Sequence, residues 1–173
     1  MAIYMVQHSF ARPDWEQEWN DWYAGNLKVL LSVPGFHSGQ RFKAADGSPP
    51  RYMAMYTVDA GVFETKTYID AGGNGVNSQR FRPAYQVWIR NLFEGIEPAP
   101  KVGADECLVC VDSPVSPASV SGAQLATMTT TGFHKTTPYR GLGIIKQAQM
   151  GAVARADNVI LYLPITEPIG ALY

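Results

Sequence analysis

The stretch that decides the fold is Val33-Pro34-Gly35-Phe36-His37-Ser38-Gly39-Gln40-Arg41-Phe42. A helical pattern ends just before it, because proline cannot continue a helix and a glycine commonly follows a helix end. From Phe36 onward the residues alternate as in a β-strand, which we expect to cover residues 36–44. The stretch therefore predicts a junction between a long helix and a strand.

Periodic patterns on both sides of this junction follow the order β-α-β-β-α-β. The helix before it begins at Pro13 and carries a broad apolar stripe that includes Trp15 and Trp19. The turn cluster Asp46-Gly47-Ser48-Pro49-Pro50 separates the next two strands, which together predict a hairpin. The predicted elements are strands over residues 3–8, 36–44, 51–58 and 89–96 and helices over residues 13–31 and 60–71.

A glycine cluster, Gly72-Gly73-Asn74-Gly75, ends the second of these helices. It contains neither G-K-[ST] nor G-x-G-x-x-G, so it does not indicate a phosphate or dinucleotide site. The cluster predicts a flexible loop, or alternatively a lid over a pocket.

The order of elements restarts after the linker Pro98-Ala99-Pro100-Lys101-Val102-Gly103. We therefore expect two modules, residues 1–98 and residues 104–173. Gly132-Phe133-His134 echoes Gly35-Phe36-His37, which favours an internal duplication. The elements predicted for the second module are strands over residues 105–112, 132–139 and 158–165 and helices over residues 118–128 and 142–156.

Composition and charge exclude two classes of partner. The chain has 173 residues, 46% of them hydrophobic and 17% charged, with a formal net charge of -1. Without a basic run, we expect no nucleic acid. No segment approaches the roughly 20 apolar residues of a membrane span, and the N-terminus lacks the pattern of a signal peptide. We expect a cytoplasmic protein with no membrane partner.

Cys107 and Cys110 form a C-x-x-C pair within a predicted strand. Residues i and i+3 of a strand point to opposite faces, so the two thiols cannot share a metal or form a redox pair. We expect both to be buried and reduced.

The motifs of the first half resemble the dimeric α/β-barrel superfamily, in particular its EthD-like members. The segments that carry the resemblance are Asn26-Leu27-Lys28-Val29-Leu30-Leu31, Val33-Pro34-Gly35-Phe36, Gln40-Arg41-Phe42 and Arg90-Asn91-Leu92-Phe93. The resemblance implies an α+β fold, a ferredoxin-like module whose antiparallel sheet joins a second module to close a barrel with the helices outside. Closure removes the unpaired sheet edges of a single module. The second module supplies the missing strands from the same chain, or two copies of the first form a homodimer.

One position departs from the family pattern. Relatives often have a histidine where this chain has Asn26, and an amide side chain does not titrate. The chemistry of a relative that depends on that histidine cannot therefore be transferred directly.

Candidate catalytic residues follow from the chemistry of histidine and arginine. His8, His37 and His134 are the only histidines, the side chains best suited to move protons near neutral pH. Alternation along the second strand places Arg41 on the face of His37, where its guanidinium could hold a carboxylate or enolate, and we expect both side chains to point into the barrel. Aromatic residues that could orient a phenolic or carbonyl substrate are Tyr4, Tyr52, Tyr56, Tyr85 and Trp88.

The function implied by the resemblance is the binding of a small apolar or aromatic molecule. Our leading hypothesis is a cofactor-independent enzyme of the lyase, isomerase or cyclase type that acts on an oxygenated metabolite through histidine. A non-catalytic binding or stress-response barrel is one alternative, and a haem or oxygen-dependent monooxygenase is the other. The three histidines lie on separate predicted elements without a carboxylate pattern, so we expect no metal and no cofactor.

Overall fold

The helix and strand that flank Pro34 form where the sequence predicts them. In the computed structural model, which describes residues 1–173, helix α1 spans Pro13–Leu31 and strand β2 spans Phe36–Ala44. The other strands of the first half are β1 (Ala2–Phe10), β3 (Tyr52–Val58) and β4 (Tyr85–Glu94). The helix predicted over residues 60–71 is split into a 3-10 turn, Ala60–Glu64, and the short helix α2, Lys66–Asp70; a further 3-10 turn covers Gln79–Ala84.

Helix α1 is held to the outer face of the sheet by its aromatic stripe. Trp19, Tyr23 and Leu27 are buried on that face, whereas Trp15 and Trp22 are only partly buried. Asp14 and Glu16 in the first turn interact favourably with the helix dipole. No helix of the fold combines the length and the apolar character of a membrane crossing.

The second half of the chain contains strands in place of the two predicted helices. The strands are β5 (Glu106–Ser113), β6 (Ser119–Val120), β7 (Ala123–Gln124), β8 (Ala126–Phe133), β9 (Tyr139–Lys146), β10 (Val159–Pro164) and β11 (Ile169–Gly170), with a 3-10 turn at Gln147–Ala152. The helices expected over residues 118–128 and 142–156 are therefore wrong. Ile144 and Ile145 have helical spacing with later apolar residues, but their β-branched side chains also suit the strand β9, which pairs with β5 along its full length.

Eight strands close into an antiparallel barrel within one chain, and the α+β fold class is confirmed. Their order is β1-β3-β2-β10-β5-β9-β8-β4, and β11 pairs only with the other end of β2. Besides this short pairing of β11, two pairings join the halves and close the barrel: β10 with β2, where Tyr162 is opposite Ala44, and β8 with β4, where Phe133 is opposite Asn91. The two halves have the same strand order in the sheet, β2-β3-β1-β4 in the first half and β8-β9-β5-β10 in the second. No second copy of the first half is needed to cover its sheet edges.

The sequence echo does not mark equivalent positions. Gly35-Phe36-His37 leads into the start of β2, whereas Gly132 and Phe133 end β8 and His134 lies in the turn after it. The echo therefore carries no evidence for duplication.

Side chains fill the barrel interior. Phe42, Phe93 and Tyr162 are fully buried there with apolar residues of both halves. Cys110 belongs to this interior cluster and Cys107 to a cluster outside the barrel wall, and both are free and buried, as predicted. The middle of the barrel is therefore packed, whereas a depression of about 300 Å³ at one end is lined by the side chains of Gln7, Cys110 and Arg140.

Gly35 occupies a position that only glycine fits. Its φ of 101° lies in the left-handed region, and a Cβ there would come within 2.8 Å of Val62 Cγ2. Gly39, further along β2, lets α1 approach closely, since a Cβ would lie 2.9 Å from Leu27 Cδ1.

We predict that Gly35→Ala lowers the free energy of unfolding by more than about 1 kcal/mol, because the substitution adds backbone strain and a clash. Gly25→Ala is the matched control, since Gly25 lies within α1 and a Cβ there meets nothing within 4 Å. This control should raise stability by up to about 1 kcal/mol. Urea denaturation measures both; equal stability of the two variants would contradict the account of the junction.

Candidate functional site

A small pocket lies between α1, the outer face of β1 and β4, and the segment formed by residues 72–78. Its volume is about 50 Å³. The lining residues that bear on its chemistry are Tyr4, His8, Tyr23, Asn26, Trp88 and Arg90. Alternation along β1 explains why Tyr4 and His8 reach it together, because residues i and i+4 of a strand share a face.

His8 is the only histidine of the pocket. It is 2% exposed, and its ring contacts Trp19, Tyr23 and Tyr85 at centroid distances of 5.1, 5.7 and 4.9 Å. Its Nδ1 atom is buried without a hydrogen-bond partner. Burial, with a smaller contribution from the charge of Arg41, lowers the pKa of His8 from the ordinary 6.5 to about 3. The imidazole is therefore neutral at physiological pH.

Arg90 brings a positive charge to the other side of the pocket. Its guanidinium lies 4.8 Å from the ring centroids of both Trp88 and Phe133. Nη1 donates a long hydrogen bond of 3.5 Å to Asn74 Oδ1, and the buried Nε has no partner. A partly buried guanidinium with an unused N–H can bind an oxygen that carries negative charge.

Two tyrosines of the pocket keep their protons. Burial raises the pKa of Tyr4 well above its usual range and raises that of Tyr23 to about 12. Tyr4 also packs on Phe63 and Phe133 at centroid distances of 4.7 and 5.1 Å. Both phenols are therefore neutral at physiological pH and can donate hydrogen bonds to a ligand oxygen.

Residues 72–78 cover the pocket as a series of turns. The Asn74 N–H donates to the hydroxyl of Tyr68 at 3.0 Å, and Arg82 donates to the carbonyl oxygen of Gly75 at 3.3 Å. Gly72, Asn74 and Gly75 all have positive φ, with values of 79°, 56° and 78°. Side-chain contacts thus contribute to holding this segment, which has the position expected of a lid.

Asn26, the departure from the family pattern, lines the same pocket. Its Oδ1 accepts a long hydrogen bond of 3.5 Å from Asn77 Nδ2 in the covering segment. An amide cannot exchange a proton near neutral pH, so Asn26 cannot act as a base. His8 is the one imidazole that lines the pocket.

The remaining predicted residues lie at different places. A bulge in the β2–β3 pairing between Phe36 and Ser38 changes the alternation, so the expectation that His37 and Arg41 point into the barrel is wrong. His37 is near the surface, with Nε2 at 2.9 Å from Asp59 Oδ1. Arg41 faces α1, and its guanidinium lies 4.4 Å from the ring of Tyr23.

Of the other candidates, His134 lies outside the pocket, where its Nδ1 accepts a hydrogen bond from the Arg90 backbone N–H at 3.3 Å. Tyr52 lines a separate groove. Tyr56 stacks on Tyr4 in the core at 6.0 Å, and its buried hydroxyl has no partner. Tyr85 contacts His8 and accepts a hydrogen bond from Trp19 Nε1 at 3.1 Å.

Sequence reasoning missed Arg90, Tyr23 and Tyr68 as pocket residues. Arg90 stands at the start of the motif that resembles the family's last strand, but a single arginine in a strand does not indicate a ligand contact. Tyr23 belongs to the apolar stripe of α1, and an aromatic residue in such a stripe indicates core packing and not a ligand contact.

We predict that His8 makes the protein less stable in acid. The unfolded chain binds a proton on this residue below about pH 6.5, whereas the folded chain binds it only near pH 3, so stability falls as the pH falls between these values. The loss amounts to at most about 1.4 kcal/mol per pH unit. In His8→Gln this contribution is absent. Urea denaturation should therefore show that the free energy of unfolding of this variant falls less steeply from about pH 7 to about pH 4 than that of the wild type. Parallel declines in the two proteins would contradict the burial of a neutral imidazole.

No protein-family model and no curated protein matches the chain. Solved structures do match it, and each match covers nearly the full length of both chains. An "anthrone oxidase-like protein" is 11% identical with a TM-score of 0.60, covering 98% of this chain and 93% of its own. A "putative monooxygenase from Lactobacillus acidophilus NCFM" is 9% identical with a TM-score of 0.55, covering 95% and 94%.

A third structure, a "putative chlorite dismutase", is 10% identical with a TM-score of 0.50 and covers 96% of each chain. At these identities the similarity establishes the fold and not the activity. Together with the eight-stranded antiparallel barrel and its outer helices, the three matches confirm the fold that the sequence resemblance implies. The chain has the dimeric α/β-barrel fold, closed within a single polypeptide.

Proposed function

We propose that the chain is a small enzyme that binds an apolar or aromatic oxygenated molecule in the pocket beside α1 and removes a proton from it with His8. The observation that carries the proposal is the buried Nδ1 of His8, which has no partner within the protein. A buried polar atom without a partner is costly, so its retention beside a pocket favours a ligand as the missing partner.

The first step is the transfer of a proton from an acidic C–H or O–H of the ligand to His8. The electron pair left on the ligand is delocalised onto its oxygen, which Arg90 and the phenol of Tyr4 stabilise by charge and hydrogen bonding. Both donors are fixed by packing before the ligand arrives, so little reorganisation is required.

The low pKa of His8 sets a condition on this step. A free imidazole whose pKa is about 3 is a weak base. A ligand oxygen that becomes negative within the same pocket favours the protonated imidazole and raises its pKa during the transfer. Proton removal is thus coupled to the formation of the anion.

The carbanion or enolate has two fates. Return of the proton at another atom gives isomerase, lyase or cyclase chemistry, whereas reaction with O₂ gives an oxidation without a cofactor. The descriptions of two similar structures, anthrone oxidase-like protein and monooxygenase, support the oxygen-dependent fate as the first to test. Anthrone is a suitable probe because its CH₂ group is made acidic by the conjugated carbonyl: one anthrone and one O₂ yield one anthraquinone and one water.

Access to the pocket requires the covering segment to move. A space of about 50 Å³ is too small for a ring system. Residues 72–78 form the wall with the fewest regular backbone hydrogen bonds, and we propose that they open as a lid.

We predict that the protein accelerates anthrone oxidation in air-saturated buffer and that His8→Gln slows it about 100-fold or more, the usual range for loss of a general base. O₂ uptake and the absorbance of anthraquinone measure the rate. His37→Gln is the matched control, because it removes a histidine that lies outside the pocket, and its rate should stay within about two-fold of wild type.

Three results would contradict this proposal. Unchanged turnover in His8→Gln would exclude proton transfer by this residue. Quenching of tryptophan fluorescence by anthrone, without O₂ uptake, would identify a binding protein. A Soret band in the purified protein would point to haem instead.

A further inference from the structure

A second, more open depression lies on the opposite side of the Trp19–Tyr23 pair from His8. It is a groove of about 560 Å³ between α1 and the strands β2 and β3. Its polar lining consists mainly of Glu16, Asn20, Arg41, Lys43, Arg51 and Tyr52. The proposed proton transfer uses no residue of this groove.

Arg41 is a buried cation without a carboxylate. It is 4% exposed, and its side chain donates only to Asn20, from Nη1 to the carbonyl oxygen at 3.2 Å and from Nη2 to Oδ1 at 2.7 Å. Its guanidinium packs on the rings of Trp19 and Tyr23, 5.1 and 4.4 Å from their centroids. An arginine carries five N–H groups, so most of its donor capacity is unused. Arginine is almost never fully buried unless it is paired.

Lys43 adds a second cation without an anionic partner. It lies two residues beyond Arg41 on the same face of β2, with its ammonium 5.5 Å from the ring centroid of Tyr52. The groove's one ion pair joins Arg51 Nη1 to Glu16 Oε2 at 3.2 Å. Arg51 also has a buried Nε without a partner.

The two carboxylates of the groove, Glu16 and Asp21, already accept hydrogen bonds from neighbouring side chains. Glu16 accepts hydrogen bonds from both Arg51 and the hydroxyl of Tyr52. Asp21 accepts one from Gln17 at 2.9 Å. The lining therefore has three cations against two anions, and the two free cations lie next to each other on β2.

We propose that this groove binds a small oxyanion, a carboxylate or phosphate group, between Arg41 and Lys43. The planar guanidinium supplies a pair of parallel donors that match two oxygens of such a group, and the ammonium supplies a point charge. The open shape of the groove suits a group carried on a larger molecule as well as a free ion.

The aromatic rings beneath Arg41 give the site a specific signal. Trp19 packs on the guanidinium and on His8, and its indole N–H donates to Tyr85. An oxyanion that binds Arg41 changes the field at this indole, although Trp19 does not line the groove. The indole N–H resonance of Trp19 should therefore respond to groove binding.

We predict saturable shifts of the Lys43 amide and the Trp19 indole resonances when ¹⁵N-labelled protein is titrated with inorganic phosphate or with acetate at constant ionic strength, chloride being the reference. Lys43→Gln should raise the Kd about five-fold, because it removes the attraction between two unit charges about 4 Å apart in water. Lys28→Gln removes the same charge from an exposed position of α1, and the Kd of this variant should stay within about two-fold of wild type. The anion with the lower Kd identifies the ligand class.

Arg41→Gln provides the second test, once circular dichroism shows that the variant is folded. It should abolish saturation by both anions. The proposal is overturned if phosphate and acetate give only the response of chloride, or if Lys43→Gln titrates like wild type. Neither outcome depends on whether the protein oxidises anthrone, so failure of one proposal is separable from failure of the other.

Discussion

Closure of the barrel by the β2–β10 and β4–β8 pairings is the constraint on which the rest of the structure depends. It joins two sets of four strands and leaves the interior just wide enough for side chains such as Phe42, Phe93 and Tyr162. Side chains fill the middle of the barrel, and a depression of about 300 Å³ remains at one end, beside Gln7 and Arg140. The pocket and the groove beside α1 lie on the outer face, which only the first half of the chain covers with a long helix.

The aromatic stripe of α1 divides the outer face into two polar regions. Trp19 and Tyr23 contact His8 on one side and the guanidinium of Arg41 on the other. The pocket and the groove are consequently neighbours that share these two aromatic side chains as a wall. The pocket is small and contains a neutral imidazole beside Arg90, whereas the groove is larger and has three cations against two anions. The charge of Arg41 contributes to the low pKa of His8, so the two regions are linked electrostatically.

Local signals in the sequence predict the first half of the fold well. Pro34 and Gly35 fix the end of α1 and the start of β2 because their backbone preferences hardly depend on tertiary context. Residues 142–146 show the limit of this reasoning, since their apolar spacing fits a helix while pairing with β5 makes them a strand. The candidate site was only partly predictable. The sequence indicates His8, Tyr4 and Trp88, which all line the pocket. A bulge in β2 turns Arg41 away from the barrel interior, and a single arginine in a strand, such as Arg90, carries no sequence signal of a ligand contact.

A crystal structure of the protein soaked with anthrone tests most directly whether a small molecule binds outside the barrel, under residues 72–78. We expect ligand density in contact with His8 and Arg90, with residues 72–78 displaced outward and the barrel interior unchanged. Density within the barrel, among Met5, Phe42 and Tyr162, would contradict the account, as would a ligand confined to the groove between α1 and β2.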